Sequence, residues 1–160
     1  MFIRPASVID LVAINNIYNW AVVNTTASAE HEPNTLEMRQ EWFAQHQQNN
    51  LAIFVAEEES QGVIGWSALS LYRPRYGYRF TLEDSIYIDR AHWGKGVGAA
   101  LLLPLVEAAR ARGSHSIMAV INAESVASVK LHARFGFVQV GYWKEVIYKF
   151  ERWLDIVQID

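Results

Sequence analysis

With 160 residues, 51% of them hydrophobic and 19% charged, the chain is long enough for one globular domain around one hydrophobic core. Fourteen Lys and Arg stand against 17 Asp and Glu, a net charge of −3 without a basic block, which argues against nucleic acid and for a small partner. The absence of cysteine removes disulfides, thiolate metal sites and a cysteine nucleophile.

Phe2 to Arg4 reads as a short strand stopped by Pro5. Ser7-Val-Ile-Asp10 is a capping box, after which Leu11, Ile14, Tyr18, Ala21 and Val22 share one helical face up to about Val23. Asn24 to Ala29 is a polar loop, and Pro33-Asn-Thr35 opens a second helix ending near Gln48. Leu51 to Glu57 and Val63 to Tyr72 read as a hairpin, and Arg73 to Arg79 as a loop. Thr81 to Ile88 is a third strand of that group, in which the adjacent carboxylates Glu83 and Asp84 face opposite sides. A helix from about Gly96 to Gly113 follows, with Pro104 expected to kink it. Ser116 to Ile121 is a strand, Glu124 to Phe135 a helix, and Phe137 to Tyr142 and Trp153 to Ile159 are the last strands. The order is α/β without the strict alternation of a doubly wound sheet. Met1 to Ser7 lacks a basic region followed by an apolar core, and the longest apolar run falls far short of the ~20 residues of a membrane span, so the expectation is a cytoplasmic protein with no membrane partner.

The chemistry concentrates at Ile86 to Arg110, where a strand, a short loop and then Gly94, Gly96 and Gly98 open an amphipathic helix. Several N–H groups and a helix dipole should meet there, a site for phosphate. A Walker loop is rejected because Lys95 is followed by Gly96 and not by a hydroxyl residue. Gly94, Gly96 and Ala99 satisfy the dinucleotide pattern formally, yet Asp89 to Trp93 intervene after the strand and no acidic residue stands about 20 positions on. A plain strand-to-helix turn explains one glycine and not three in alternation.

The segment resembles the acyl-CoA pyrophosphate loop of the GNAT acetyltransferase superfamily, Arg/Gln-x-x-Gly-x-Gly/Ala, with Gly96 and Gly98 as its glycines and Trp93 where Arg or Gln is usual. Asn19-x-Ala-Val-x-Asn-Thr-Thr-Ala-Ser28, Tyr72-Arg-Pro74, Thr81-x-Glu-x-Ser-x-Tyr87, Leu131-His-x-x-x-Gly-Phe137 and Tyr148-Lys-Phe-x-Arg-Trp-Leu-Asp155 are similar to the phosphinothricin/methionine sulfoximine N-acetyltransferase group of that superfamily. The likeness spans about residues 2–159. It implies a mixed, mostly antiparallel sheet of about six to seven strands with about four helices on its faces, acetyl-CoA as co-substrate, and a homodimer.

Position by position, the resemblance gives main-chain contacts with pantetheine to Ile86, Tyr87 and Ile88, and the pyrophosphate to Gly94, Lys95, Gly96, Val97, Gly98 and Ala99. Ser125 replaces an Asn that usually binds pantetheine, and as a helix cap Ser should serve equally well. Arg73, Arg75, Glu83, Asp84 and Ser85 fall where the group holds its amino-acid-like acceptor, arginine suiting an anionic oxygen because its fork makes two charge-assisted bonds. Amine attack on a thioester requires a proton acceptor, for which Glu83 is the candidate, directly or through water. His132 stands where a tyrosine often protonates the leaving thiolate; a structural histidine beside Leu131 is the competing reading. His31, His46, His92 and His115 show no ligand spacing, so no metal is expected. The expected activity is direct transfer of acetyl to the amino group of a small amino-acid analogue. The alternatives are another amine or a protein N-terminus as acceptor, and a non-catalytic acyl-CoA-binding module.

Overall fold

Arg4 fixes the first turn in the computed structural model, which describes residues 1–160. At the end of strand β1 (Phe2–Pro5) it grips both oxygens of Asp10 at 2.8 Å, and this fork holds the buried carboxyl below its ordinary range. Asp10 also accepts the Ser7 N–H at 2.8 Å, the return half of the predicted capping box. After one 3-10 turn, helix α1 (Leu11–Asn24) follows. Helix α2 (Leu36–Gln48) starts at Thr35, whose hydroxyl accepts the Met38 N–H at 3.2 Å. Asn19 fastens the two helices, donating to the Asn34 carbonyl at 2.9 Å and accepting its N–H at 2.8 Å.

Then come β2 (Ile53–Glu58), β3 (Gly62–Leu71), β4 (Thr81–Ile88), α3 (Val97–Ala111), β5 (Ser116–Asn122), α4 (Val126–Ala133), β6 (Gln139–Lys149) and β7 (Arg152–Ile159). The seven strands form one sheet in the order β1-β2-β3-β4-β5-β7-β6, antiparallel except between β4 and β5. This is the mixed, mostly antiparallel α/β architecture that the sequence implied. On one face Leu11, Ile14 and Phe43 pack against Val55, Trp66 and Ala68. On the other, α3 buries Leu101, Leu102 and Leu105 against both halves of the sheet. These three leucines are fully buried, worth about 1.5–3 kcal/mol each, which outweighs the roughly 3 kcal/mol a proline costs inside a helix. Accordingly α3 runs through Pro104 as one helix, although the proline cannot donate to the Ala100 carbonyl.

Two expectations are corrected. The strand expected to end at Tyr142 continues as β6 to Lys149, past a register shift between Trp143 and Ile147 that includes Glu145 at φ 53°; this irregularity hides the alternation. Ser125 precedes α4 but its side chain accepts no capping bond, so the cap equivalence with Asn does not hold here.

Asp10→Ala removes the buried half of the ion pair and the Ser7 bond together, and should lower stability by about 2 kcal/mol at neutral pH. Because the folded pKa lies below the ordinary 3.8, the contribution is complete above that value and lost as pH falls through the folded pKa. Urea unfolding of both proteins at neutral and strongly acidic pH should show the difference shrinking with acid.

Candidate functional site

The parallel pairing of β4 with β5 lasts three residue pairs, Thr81 with Ser116, Leu82 with Ile117 and Glu83 with Met118. Beyond Glu83 the strands part. The wedge holds a cavity of about 310 Å³ lined by β4 from Glu83 to Tyr87, by β5 from Ala119 to Asn122, and by Ser125, Ser128 and His132. It runs into a second cleft of about 510 Å³, sharing Ile86, Tyr87, Ser125 and Ser128 with it.

The second cleft ends at the glycine loop, whose glycines serve different purposes. Gly94 at φ +74° and Gly96 at φ +84° occupy the left-handed region, which lets the chain turn back before α3. Gly98 has no such angle; a Cβ there would stand 2.8 Å from Leu131 Cδ2 and 3.3 Å from Ile88 Cδ1, so it permits close approach of α3 to α4. Gly94, Gly96, Gly98 and Ala99 line the cleft. Lys95 is exposed outside it, and Val97 is buried in the core, so from Val97 only main-chain groups can serve a ligand. The first-turn N–H groups of α3 lack intrahelical acceptors, and Arg134 is the one charged side chain lining the cleft. Open space at the left-handed glycines, free helix donors and a cation suit a pyrophosphate.

In the wedge the neighbouring carboxylates have opposite fates. Asp84 is buried and accepts from His132 Nε2 at 2.8 Å, while His132 Nδ1 donates to the Ser128 carbonyl at 2.8 Å. Burial alone would lower the His132 pKa, but the Asp84 hydrogen bond and charge outweigh it and raise the value. Glu83 is half-buried with no side-chain partner; burial first, then the charge of Asp84, push its carboxyl up. Ser85 lines the wedge with it.

Arg73 and Arg75 lie outside both clefts, on the exposed loop after β3. Arg73 stacks over Tyr72 at 5.1 Å and Tyr78 at 5.6 Å, and Tyr72 is tied to the sheet by a 2.7 Å bond from Gln158 Nε2 to its hydroxyl. Trp93 is exposed on the wall of the glycine cleft but tethered there: its Nε1 donates to the Ile88 carbonyl at 2.9 Å and its ring meets Trp20 edge-on at 5.8 Å.

Three contributors escape sequence reasoning. Arg134 hides among surface arginines, and Asn122 ends a strand with no motif around it. Lys149 belongs to the Tyr148–Asp155 motif, though nothing in the motif tells what it does. It is 1% exposed and donates to the Ser28 carbonyl at 2.7 Å, anchoring the loop that walls both clefts. No group of three His, Asp or Glu stands close enough to hold a metal ion.

Residues 14–137 match the family described as Acetyltransferase (GNAT) family. The chain is 42% identical over 154 residues, 96% of its length and 90% of the relative's, to an L-methionine sulfoximine/L-methionine sulfone acetyltransferase of Pseudomonas aeruginosa. It is 35% identical over 156 residues, 96% of its length and 91% of the relative's, to a phosphinothricin N-acetyltransferase of Streptomyces coelicolor. Among solved structures, a GNAT superfamily phosphinothricin acetyltransferase of Sinorhizobium meliloti in complex with acetyl-CoA superposes with a TM-score of 0.96 at 36% identity, over 99% of this chain and 85% of that one.

The buried pair supplies a pH readout. With the folded His132 pKa above the ordinary 6.5, its stabilisation is complete below 6.5 and disappears as pH rises through the folded value. The melting-temperature gap between wild type and His132→Gln should therefore be widest near about pH 6 and narrow toward about pH 9; a constant gap would show that His132 is not charged.

Proposed function

Because the chain belongs to the GNAT acetyltransferase family and is an acetyl-CoA-dependent N-acetyltransferase, we propose that it acetylates the amino group of a small amino-acid analogue of the methionine sulfoximine, methionine sulfone or phosphinothricin kind. The observation that carries this reading is Glu83, an unpartnered carboxylate with a raised pKa at the apex of a wedge continuous with the glycine-loop cleft. Bound acetyl-CoA supplies a thioester carbonyl open to attack by an amine. The chain has no cysteine to carry an acyl group as a thioester, which favours direct transfer with both substrates bound.

Glu83 takes the proton of the acceptor's ammonium, and its raised pKa brings it closer to working pH as a base. Ile86, Tyr87 and Ile88 lie beyond the last β4–β5 pair, where their main-chain groups serve the pantetheine arm and the oxygen that gains negative charge. Gly94 to Ala99 and Arg134 serve the phosphates, and Ser125 offers an uncommitted hydroxyl where both clefts meet. His132, with both ring nitrogens committed to Asp84 and the Ser128 carbonyl, aids departure of the thiolate through its positive charge when protonated, not by handing it a proton directly. Ser85 lines the wedge where the acceptor would sit; Arg73 and Arg75, outside both clefts in the single chain, are assigned to the anionic end of the acceptor on the family resemblance alone.

The homodimer is part of the same reading. β6 is one of the sheet's two edge strands, and Tyr142, Val146, Tyr148, Phe150 and Trp153 stay exposed on the β6–β7 hairpin. A second copy covers them. No helix is long and apolar enough to cross a membrane; a cytoplasmic location and the absence of membrane and nucleic-acid partners complete the proposal.

Release of CoA from acetyl-CoA should be fastest with methionine sulfone, methionine sulfoximine or phosphinothricin in a panel that includes simple amines and N-terminal peptides. Glu83→Gln should lower kcat at least ~10²-fold with the acetyl-CoA KM unchanged. Wild-type kcat/KM should fall as pH drops through a pKa above the ordinary 4.5 of Glu, and the variant should lack that limb. If a peptide N-terminus is preferred, the acceptor assignment fails; a variant with wild-type kcat removes Glu83 as the base.

The self-association claim is checked by sedimentation: wild type should run at twice the chain's 18.2 kDa, and Trp153→Glu, which charges a position 60% exposed, at the monomer mass.

A further inference from the structure

Asn122, the last residue of β5, is 4% exposed and only half satisfied. Its Oδ1 accepts the Glu124 N–H at 2.8 Å, while its Nδ2 has no partner. The bond to Glu124 also fixes the orientation: exchanging oxygen and nitrogen would set the amide NH₂ against a backbone N–H. The free end is therefore a donor. Buried donors without an acceptor are few in native proteins and destabilise them. Two other groups share that condition, Arg39 NH2 and Trp66 Nε1, but neither residue lines the wedge or the glycine cleft. Asn122 lines the wedge.

The register says which side of the wedge it serves. Leu82 and its partner Ile117 both pack toward α3, as do Ala119 and Ile121, so the alternating residues Met118, Val120 and Asn122 lie on the opposite face of β5. Glu83, in register with Met118, lies on that same opposite face of β4. So does Gln158, the β7 partner of Val120, which ties down Tyr72 at the root of the Arg73 loop. Asn122 thus belongs with the base and with the loop assigned to the acceptor, whereas the glycine loop opens the helix that packs the other face.

We infer that Asn122 Nδ2 binds an oxygen of the acceptor amino acid, either its carboxylate or an oxygen on its side-chain sulfur or phosphorus, and so acts as a specificity residue. This rests on the acceptor class proposed above. Within the chain the donor has no acceptor, and the bound amino acid supplies one.

The test is steady-state kinetics and thermal melting of Asn122→Ser, whose hydroxyl can still accept the Glu124 N–H but cannot reach as far, with Asn122→Ala as a second variant. Methionine sulfone and methionine are the acceptors. The expected result is an acceptor KM raised about tenfold in both variants with the acetyl-CoA KM unchanged, and for Asn122→Ser, which keeps an acceptor for the Glu124 N–H, a melting temperature without acceptor equal to or above wild type. If methionine sulfone loses its advantage over methionine, the oxygen bound is on sulfur; if both KM values rise equally, it is the carboxylate. An unchanged acceptor KM, a parallel rise in the acetyl-CoA KM, or a fallen melting temperature with normal KM overturns the inference. Wild-type enzyme that acetylates neither amino acid overturns the acceptor class, and this inference with it, an outcome visible before any variant is made.

Discussion

A buried peptide group needs a hydrogen-bond partner, and the parting of β4 from β5 after Glu83 and Met118 withdraws that partner from one side of each strand in the middle of the sheet. The fold accepts this because everything around the gap is braced. α3 packs both halves of the sheet with three fully buried leucines, β7 continues the ladder from β5, and the loop after α1 closes the far side. The gap is therefore a standing supply of main-chain donors and acceptors in a sheltered place, which an amide-bearing pantetheine arm can use where water would be the poorer substitute.

Adjacent carboxylates on one strand are set apart by the alternation of the sheet. Asp84 points to the α4 side and is consumed by His132; Glu83 points the other way and feels Asp84 only as a neighbouring negative charge. Asp84 thus adds to the burial that pushes the Glu83 carboxyl up and at the same time raises the His132 imidazole. Removing Asp84 disturbs both, so its loss would be a poor guide to either role alone.

The element order, the opposite orientations of Glu83 and Asp84 and the chemistry of the glycine loop are legible in the sequence, because periodicity and glycine act locally. Contacts between distant elements are not. That Gly98 yields to Leu131, that Trp93 donates to the Ile88 carbonyl, and that His132 meets Asp84 depend on how α4 is laid across the sheet. The length of β6 is concealed by a bulge at Glu145, where strict alternation fails. The Arg73 loop reads as a binding element, and in the isolated chain its arginines lie on the surface, over tyrosine rings and away from the wedge.

The ammonium of Lys149 reaches a carbonyl 121 positions earlier in the chain, and that bond anchors the wall in front of both clefts. A closure of that span costs chain entropy that is recovered only once the final hairpin has docked, so it belongs among the late events of assembly. A chain emerging from the ribosome can gather its first two helices, the central strands and the glycine loop while the last hairpin is still unmade. While that hairpin is undocked the bond to Ser28 cannot form, and the wall in front of both clefts is held by one bond fewer.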